Sequence, residues 1–107
     1  SMGDAPDKPD PKGFINLSKK LIGDKLGESN IPIAYVGDTI ADINTVINAR
    51  KEIPSQKFIS IGIAPPHLHL NSRLKERDSY EKNLITAGAD LILKSIYDLK
   101  DINLDLF

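Results

Sequence analysis

The sequence contains no cysteine, which excludes disulfides and thiolate metal sites. Long hydrophobic runs are also missing. The longest apolar stretches are strand-sized, far short of the ~20 residues that cross a bilayer, and the first residues carry no signal-like apolar run. Neither sign of charge is in excess. Fourteen Lys and Arg against fifteen Asp and Glu leave a formal charge of -1, which gives no footprint for nucleic acid and no attraction to an anionic membrane. What remains is 107 residues, 40% hydrophobic and 27% charged, the composition of one small globular domain or a piece of a larger one. The expected setting is the cytoplasm. Ser1-Met2 reads as the remnant of a removed tag and is set aside.

The first eleven residues hold three prolines and three aspartates, which predicts an irregular segment over 1–11. Phe14, Leu17, Leu21 and Ile22 then recur at helical spacing, predicting a helix from about Lys12 to Leu26, with Gly23 and Gly27 near its end and a turn at 28–30. The run Ile31–Val36 is apolar on both faces, as in a parallel strand covered on both sides. Thr39 is placed to cap a second helix, with Asp42 in its first turn and Ile43, Val46, Ile47 and Ala49 as its apolar stripe. A second strand is expected over Lys57–Ala64, stopped by Pro65-Pro66. The segment 65–78 has no clear period and predicts a loop or short irregular helix. A third helix begins at Ser79 and closes at Gly88, a third strand covers Ala89–Leu93, and a short helix follows over Ser95–Lys100. Strands alternating with amphipathic helices predict parallel pairing through right-handed crossovers. The expected class is α/β: a three-layer, Rossmann-like partial domain over 1–107, with a partial parallel sheet of about three strands flanked by helices.

The segment that carries chemistry is Ala34-Tyr35-Val36-Gly37-Asp38-Thr39-Ile40-Ala41-Asp42. Asp38 sits just past the carboxyl end of a buried strand, the edge where open α/β sheets bind ligands, and Asp42 follows one helical turn later. Two carboxylates so spaced can face one point, and Mg²⁺ takes one or two carboxylates and completes its shell with water and phosphate. The same spacing also arises from an ordinary Gly-Asp turn with Asp42 complementing a helix dipole. Upstream, Lys8-Pro9-Asp10-Pro11 holds a lysine in a proline-stiffened, extended context. Its ammonium suits a phosphoryl group and a neighbouring carboxylate; alternatively it is a solvated lysine in a proline-rich tail.

In this order the two features resemble the haloacid-dehalogenase-like (HAD) hydrolase superfamily. There a lysine in Lys-Pro-x-Pro precedes a helix and then an apolar strand ending in Gly-Asp-x-x-x-Asp. The resemblance runs over about residues 7–98, through a Gly-Ile-Ala strand end and the turn Ala87–Asp90, and corresponds to the second half of that core. The Pro65-Pro66-His67 stretch resembles the subgroup related to histidine-biosynthesis phosphatases. The resemblance implies a Mg²⁺-dependent phosphohydrolase acting on a phosphate monoester of a small metabolite. It implies Lys8 as the catalytic lysine that orients the nucleophile and neutralises the phosphoryl group. It further implies Asp38 and Asp42 as ligands to Mg²⁺, Asp42 directly or through its waters, and Lys8, Gly37 and Thr39 beside the substrate, Thr39 chiefly as a cap. The family nucleophile lies in an Asp-x-Asp motif after an earlier strand. No such motif precedes Lys8, so the chain alone is expected to be inactive, a fragment or a non-catalytic binding or assembly module.

Two further features carry a weaker signal. His67-Leu68-His69 places two imidazoles on one side of an extended segment, as a metal pair or as solvated loop histidines. The run Arg73–Arg77 suits an anionic substrate or a solvated mixed-charge face. The resemblance implies a nucleophile-bearing strand beside the first one, and without it Ile31–Val36 is expected to have an open apolar edge guarded only by Pro32, which favours pairing with another chain. The expected outcome is a homo-oligomer built through Ile31–Val36 or its flanking helices. Light scattering at micromolar concentration checks it, a strictly monomeric mass counting against it.

Overall fold

The computed structural model describes residues 8–28 and 30–107. The element order is α1 (Lys12–Ile22), β1 (Ile33–Gly37), α2 (Ile40–Glu52), β2 (Phe58–Ile63), α3 (Leu74–Ala87) and β3 (Leu91–Leu93), with short 3-10 helices between and after them. The strands form one parallel sheet in the order β1-β2-β3. The α/β class, the three parallel strands and the flanking helices are therefore as the hydrophobic periodicity predicts.

Right-handed crossovers between strands taken in simple spatial order carry both connecting helices over the same face. On that face Ile33 and Phe58 pack with Phe14 and Ile15 of α1 and Val46 and Ala49 of α2, and α3 places Leu84 over Gly62. The opposite face carries Ile59, Ile61 and Leu93 with Ala34 and Val36, and is covered by Ile102 and Leu104. The third layer is thus the C-terminal segment with its 3-10 turns at Ile96–Asp101 and Leu104–Leu106. Among the described residues no strand pairs with the outer edge of β1.

Several boundaries move, each for a local reason. α1 stops at Ile22 instead of Leu26 because Gly23 turns to φ 57°, a conformation glycine alone adopts without strain, and residues 23–25 continue as a 3-10 turn. β1 begins at Ile33 because Pro32 has no N–H for the ladder, and the Ile31 carbonyl is taken by Gln56 Nε2 at 2.7 Å. α3 begins at Leu74, five residues before Ser79, where Arg73–Glu76 at 2.8 Å and Arg77–Glu81 at 3.0 Å support its first turns. Residues 65–73 form two 3-10 turns. β3 begins at Leu91 because Asp90 closes the sheet with its side chain as well as its backbone. Its N–H donates to the Ser60 carbonyl at 2.8 Å, and its Oδ2 accepts from Ser60 N–H at 2.8 Å and Arg50 Nη2 at 2.5 Å. The reading of residues 1–7 and of Ser29 lies outside the described residues.

Glu81 on α3 is 3% exposed. Its carboxylate accepts from Arg77 Nε at 3.0 Å and from Lys94 Nζ just past β3, so one buried charge fastens α3 to the end of the sheet. Burial is the largest single influence and pushes the carboxyl up. The hydrogen bonds from Lys94 and Arg77 outweigh it and hold the group below its ordinary 4.5. A carboxyl held low in the folded state contributes stability that is complete above the unfolded value and drains as pH falls through the folded one. Urea midpoints between about pH 6 and about pH 3 are expected to fall less for Glu81→Gln than for the wild type, with the variant less stable at neutral pH. Parallel curves would remove Glu81 from the acid response.

Candidate functional site

β1 ends in Val36-Gly37, and the chain turns through Asp38 into α2, whose N-cap is Thr39. The turn is a capping box: Thr39 Oγ1 accepts from Asp42 N–H at 3.1 Å, while Asp42 Oδ2 accepts from Thr39 N–H at 3.1 Å. The same oxygen accepts from Asp38 N–H at 3.1 Å and from the Thr39 hydroxyl at 2.8 Å. Asp42 Oδ1 accepts from Lys8 Nζ at 2.6 Å and from the Tyr35 hydroxyl at 2.9 Å. Five donors thus converge on one carboxylate that is 3% exposed.

The sequence gives no hint of how tightly Asp42 is enclosed, and the geometry assigns it a definite task. Both oxygens are filled by protein donors, so what it holds is Lys8 and the first turn of α2. Burial is the largest influence on its carboxyl and acts upward; the hydrogen bonds from Lys8, Thr39 and Tyr35 more than reverse it and keep the group below its ordinary 3.8. The Lys8 ammonium is in turn raised above its ordinary value, first by its hydrogen bond to Asp42, with further help from the charge of Asp38. Half of the Lys8 side chain remains exposed. An ammonium has three N–H donors, and Asp42 takes one of them.

Lys8, Asp38 and Asp42 therefore meet at one rim, the carboxyl end of the parallel strands. Lys8 reaches it from a turn at residues 8–9, rather than from the extended segment its prolines suggested. Asn48 Nδ2 steadies that turn by donating to the Pro9 carbonyl at 3.0 Å, and Asp10 Oδ1 accepts from Lys12 N–H at 2.9 Å at the start of α1. The Asp38 side chain is half-buried and, among the described residues, has no hydrogen bond or ion pair. Thr39 spends both its N–H and its hydroxyl on Asp42, so neither is left for the substrate contact expected of it. Gly37 contributes space: a Cβ there would stand 2.3 Å from Asp42 Cβ and 2.7 Å from Oδ2.

Two tyrosines complete the rim. Tyr35 lies in the quoted motif, and its hydroxyl in an otherwise apolar strand is the one signal of its role. Phe14 holds its ring edge-on at a centroid distance of 5.0 Å, and burial followed by the hydrogen bond to Asp42 raises its hydroxyl above the ordinary value. Tyr80 on α3 donates its hydroxyl to the Asp38 carbonyl; burial, then the charges of Asp38 and Asp42, raise it too. Nothing in the local sequence links Tyr80 to Asp38, 42 residues away. The histidine pair is separated. Residues 66–69 form a 3-10 turn instead of an extended segment, so His67 lines a depression with Arg73 and Tyr80 while His69 lines another with Asp38. Among the described residues no three His, Cys, Asp or Glu side chains cluster to hold a metal.

Two substitutions test the enclosure of Asp42. Gly37→Ala is expected to cost about 3 kcal/mol, the upper end for overpacking. Asp42→Asn replaces one acceptor oxygen by a donor facing donors and is expected to cost about 2–3 kcal/mol and to return the Lys8 ammonium toward its ordinary pKa. Urea midpoints and NMR titration of Lys8 check both, and a neutral Asp42→Asn would show that the five hydrogen bonds carry no net stability.

No family model matches the chain, and no match to it at a significant level was found among curated proteins or solved structures.

Proposed function

We propose that this rim is the lysine-and-acid half of a Mg²⁺-dependent phosphohydrolase site of the HAD type, acting on the phosphate monoester of a small metabolite. The observation that carries the reading is the 2.6 Å contact of Lys8 with Asp42 beside the side chain of Asp38 at the carboxyl end of the sheet. The ammonium is oriented by Asp42, remains charged across the physiological range, and keeps donors for a phosphoryl oxygen. Asp38 is the carboxylate offered to a cation. Asp42 supports that site by holding Lys8 in place, and Gly37 supports it by letting Asp42 come close.

The donor set fits Mg²⁺ in a limited way. A cation of this kind accepts one or two carboxylates and takes the rest of its shell from water and phosphate, and Asp38 supplies one. When bound, it would neutralise charge on the phosphoryl oxygens. Asp-x-Asp occurs nowhere in the sequence, so the nucleophile of such a reaction is assigned to a segment outside it. That observation also favours a second reading, a non-catalytic phosphate- and metal-binding or assembly module. Pairing of two copies through the edge of β1 that no described strand covers suits either reading.

Inorganic phosphate titrated calorimetrically with Mg²⁺ present is expected to bind, and Lys8→Ala to weaken it about tenfold or more, the worth of a charge-assisted hydrogen bond. Equal affinity in both proteins would remove the reading. Turnover of an aryl phosphate abolished by Asp38→Asn supports a working site; phosphate binding without turnover supports the binding module.

A further inference from the structure

Beside Asp38 lies a depression of about 330 Å³. It runs along the carboxyl ends of all three strands, since its walls come from Asp38 after β1, Ile63, Ala64 and His69 from the end of β2 and the turn that follows, and Ser95 and Ile96 after β3. This is the edge at which parallel α/β sheets take ligands, and the volume is at the small end of ligand sites. Its surface is mostly apolar, with three polar groups, one from each strand end.

The chemistry of those groups is specific. His69 Nε2 lies 2.7 Å from the Ala64 carbonyl. A carbonyl can only accept, so Nε2 carries a proton and Nδ1 is the ring nitrogen turned to a ligand, an acceptor in the neutral ring, for which no partner occurs among the described residues. Ser95 Oγ accepts from Tyr97 N–H at 3.2 Å, which leaves its own proton to donate. Ile63 and Ile96 supply apolar wall, and Ile96 is 52% exposed.

We infer that this depression seats the organic part of the ligand whose phosphate meets Lys8 and Asp38, and that the part it takes is compact and largely apolar, a ring or short chain with a polar group facing His69 or Ser95. The inference rests on the proposed phosphate site for the position of the anionic end, and on the depression alone for the rest. His69 and Ile96 are then the residues that distinguish an organic phosphate from inorganic phosphate. His67, on the far side of the same turn, takes no part.

The test compares inorganic phosphate, phenyl phosphate and phenol, each titrated with Mg²⁺ present against the whole chain while the His69 ring resonances are followed by NMR. Phenyl phosphate is expected to bind about tenfold more tightly than inorganic phosphate, a modest return for burying part of a ring. That preference is expected to vanish in His69→Ala and in Ile96→Asn, with the affinity for inorganic phosphate unchanged. Ile96 is exposed enough that its substitution leaves the fold intact. Equal affinity for the two phosphates, both lost in Lys8→Ala and neither altered in His69→Ala, would keep the phosphate site and overturn this inference. Binding of phenyl phosphate and phenol that depends on His69 and Ile96 but not on Lys8 would uphold the depression and remove the phosphate site. Failure of all three probes to shift His69 would overturn it as well.

Discussion

The buried carboxylate of Asp42 is the constraint to which the rest of the rim conforms. An ionised group at 3% exposure has lost most of its water, and it is stable there only if protein donors replace that water. Five do so, from four residues: Lys8, Tyr35, Asp38 and Thr39. Each comes from a different piece of local structure, so satisfying one charge fixes the N-terminal turn, strand β1, the strand-to-helix turn and the cap of α2 relative to one another. Gly37 is part of the same requirement, because any side chain there would occupy the space Asp42 fills.

Glu81 repeats the principle at the other edge of the sheet. Its buried carboxylate joins α3 to the end of β3 through Arg77 and Lys94, and Tyr80, its neighbour in α3, reaches back to the carbonyl of Asp38. The rim is therefore held from both directions, by α2 through Asp42 and by α3 through Tyr80. Its acids divide in consequence. Asp42 and Glu81 are consumed by structure, whereas the side chain of Asp38 stands at the edge without a hydrogen bond among the described residues. In the proposed function, the carboxylate of Asp38 and the ammonium that Asp42 orients are the two groups that would meet a phosphate and its cation.

The one-sided placement of the α-helices has its own consequence. Because α1, α2 and α3 share a face, the core on the other face depends on Ile102 and Leu104 of the C-terminal segment, and the strand ends remain open between these layers. The depression beside Asp38 lies in that opening. Its His69 wall exists because residues 66–69 coil into a 3-10 turn, which directs neighbouring imidazoles of an apparent pair to different places.

Hydrophobic period and punctuation were enough to place the three strands, the three helices and their parallel order, since an apolar run closed by Gly-Asp and a stripe at helical spacing are local signals. The spacing of Asp38 and Asp42 across a strand-to-helix turn, and the cap at Thr39, are local in the same sense. The meeting of Lys8 with Asp42 was legible only through the resemblance of the combined motifs, because 34 residues separate them. What only the tertiary structure decided is how the acids share their work. Whether a carboxylate is free for a ligand or consumed by donors depends on Tyr35, Lys8 and two backbone amides arriving at one point, and the link from Tyr80 to Asp38 depends on α3 packing over the same face as α2. No short-range pattern encodes such convergence, because it is produced by the right-handed crossovers that fold the chain back over its own sheet.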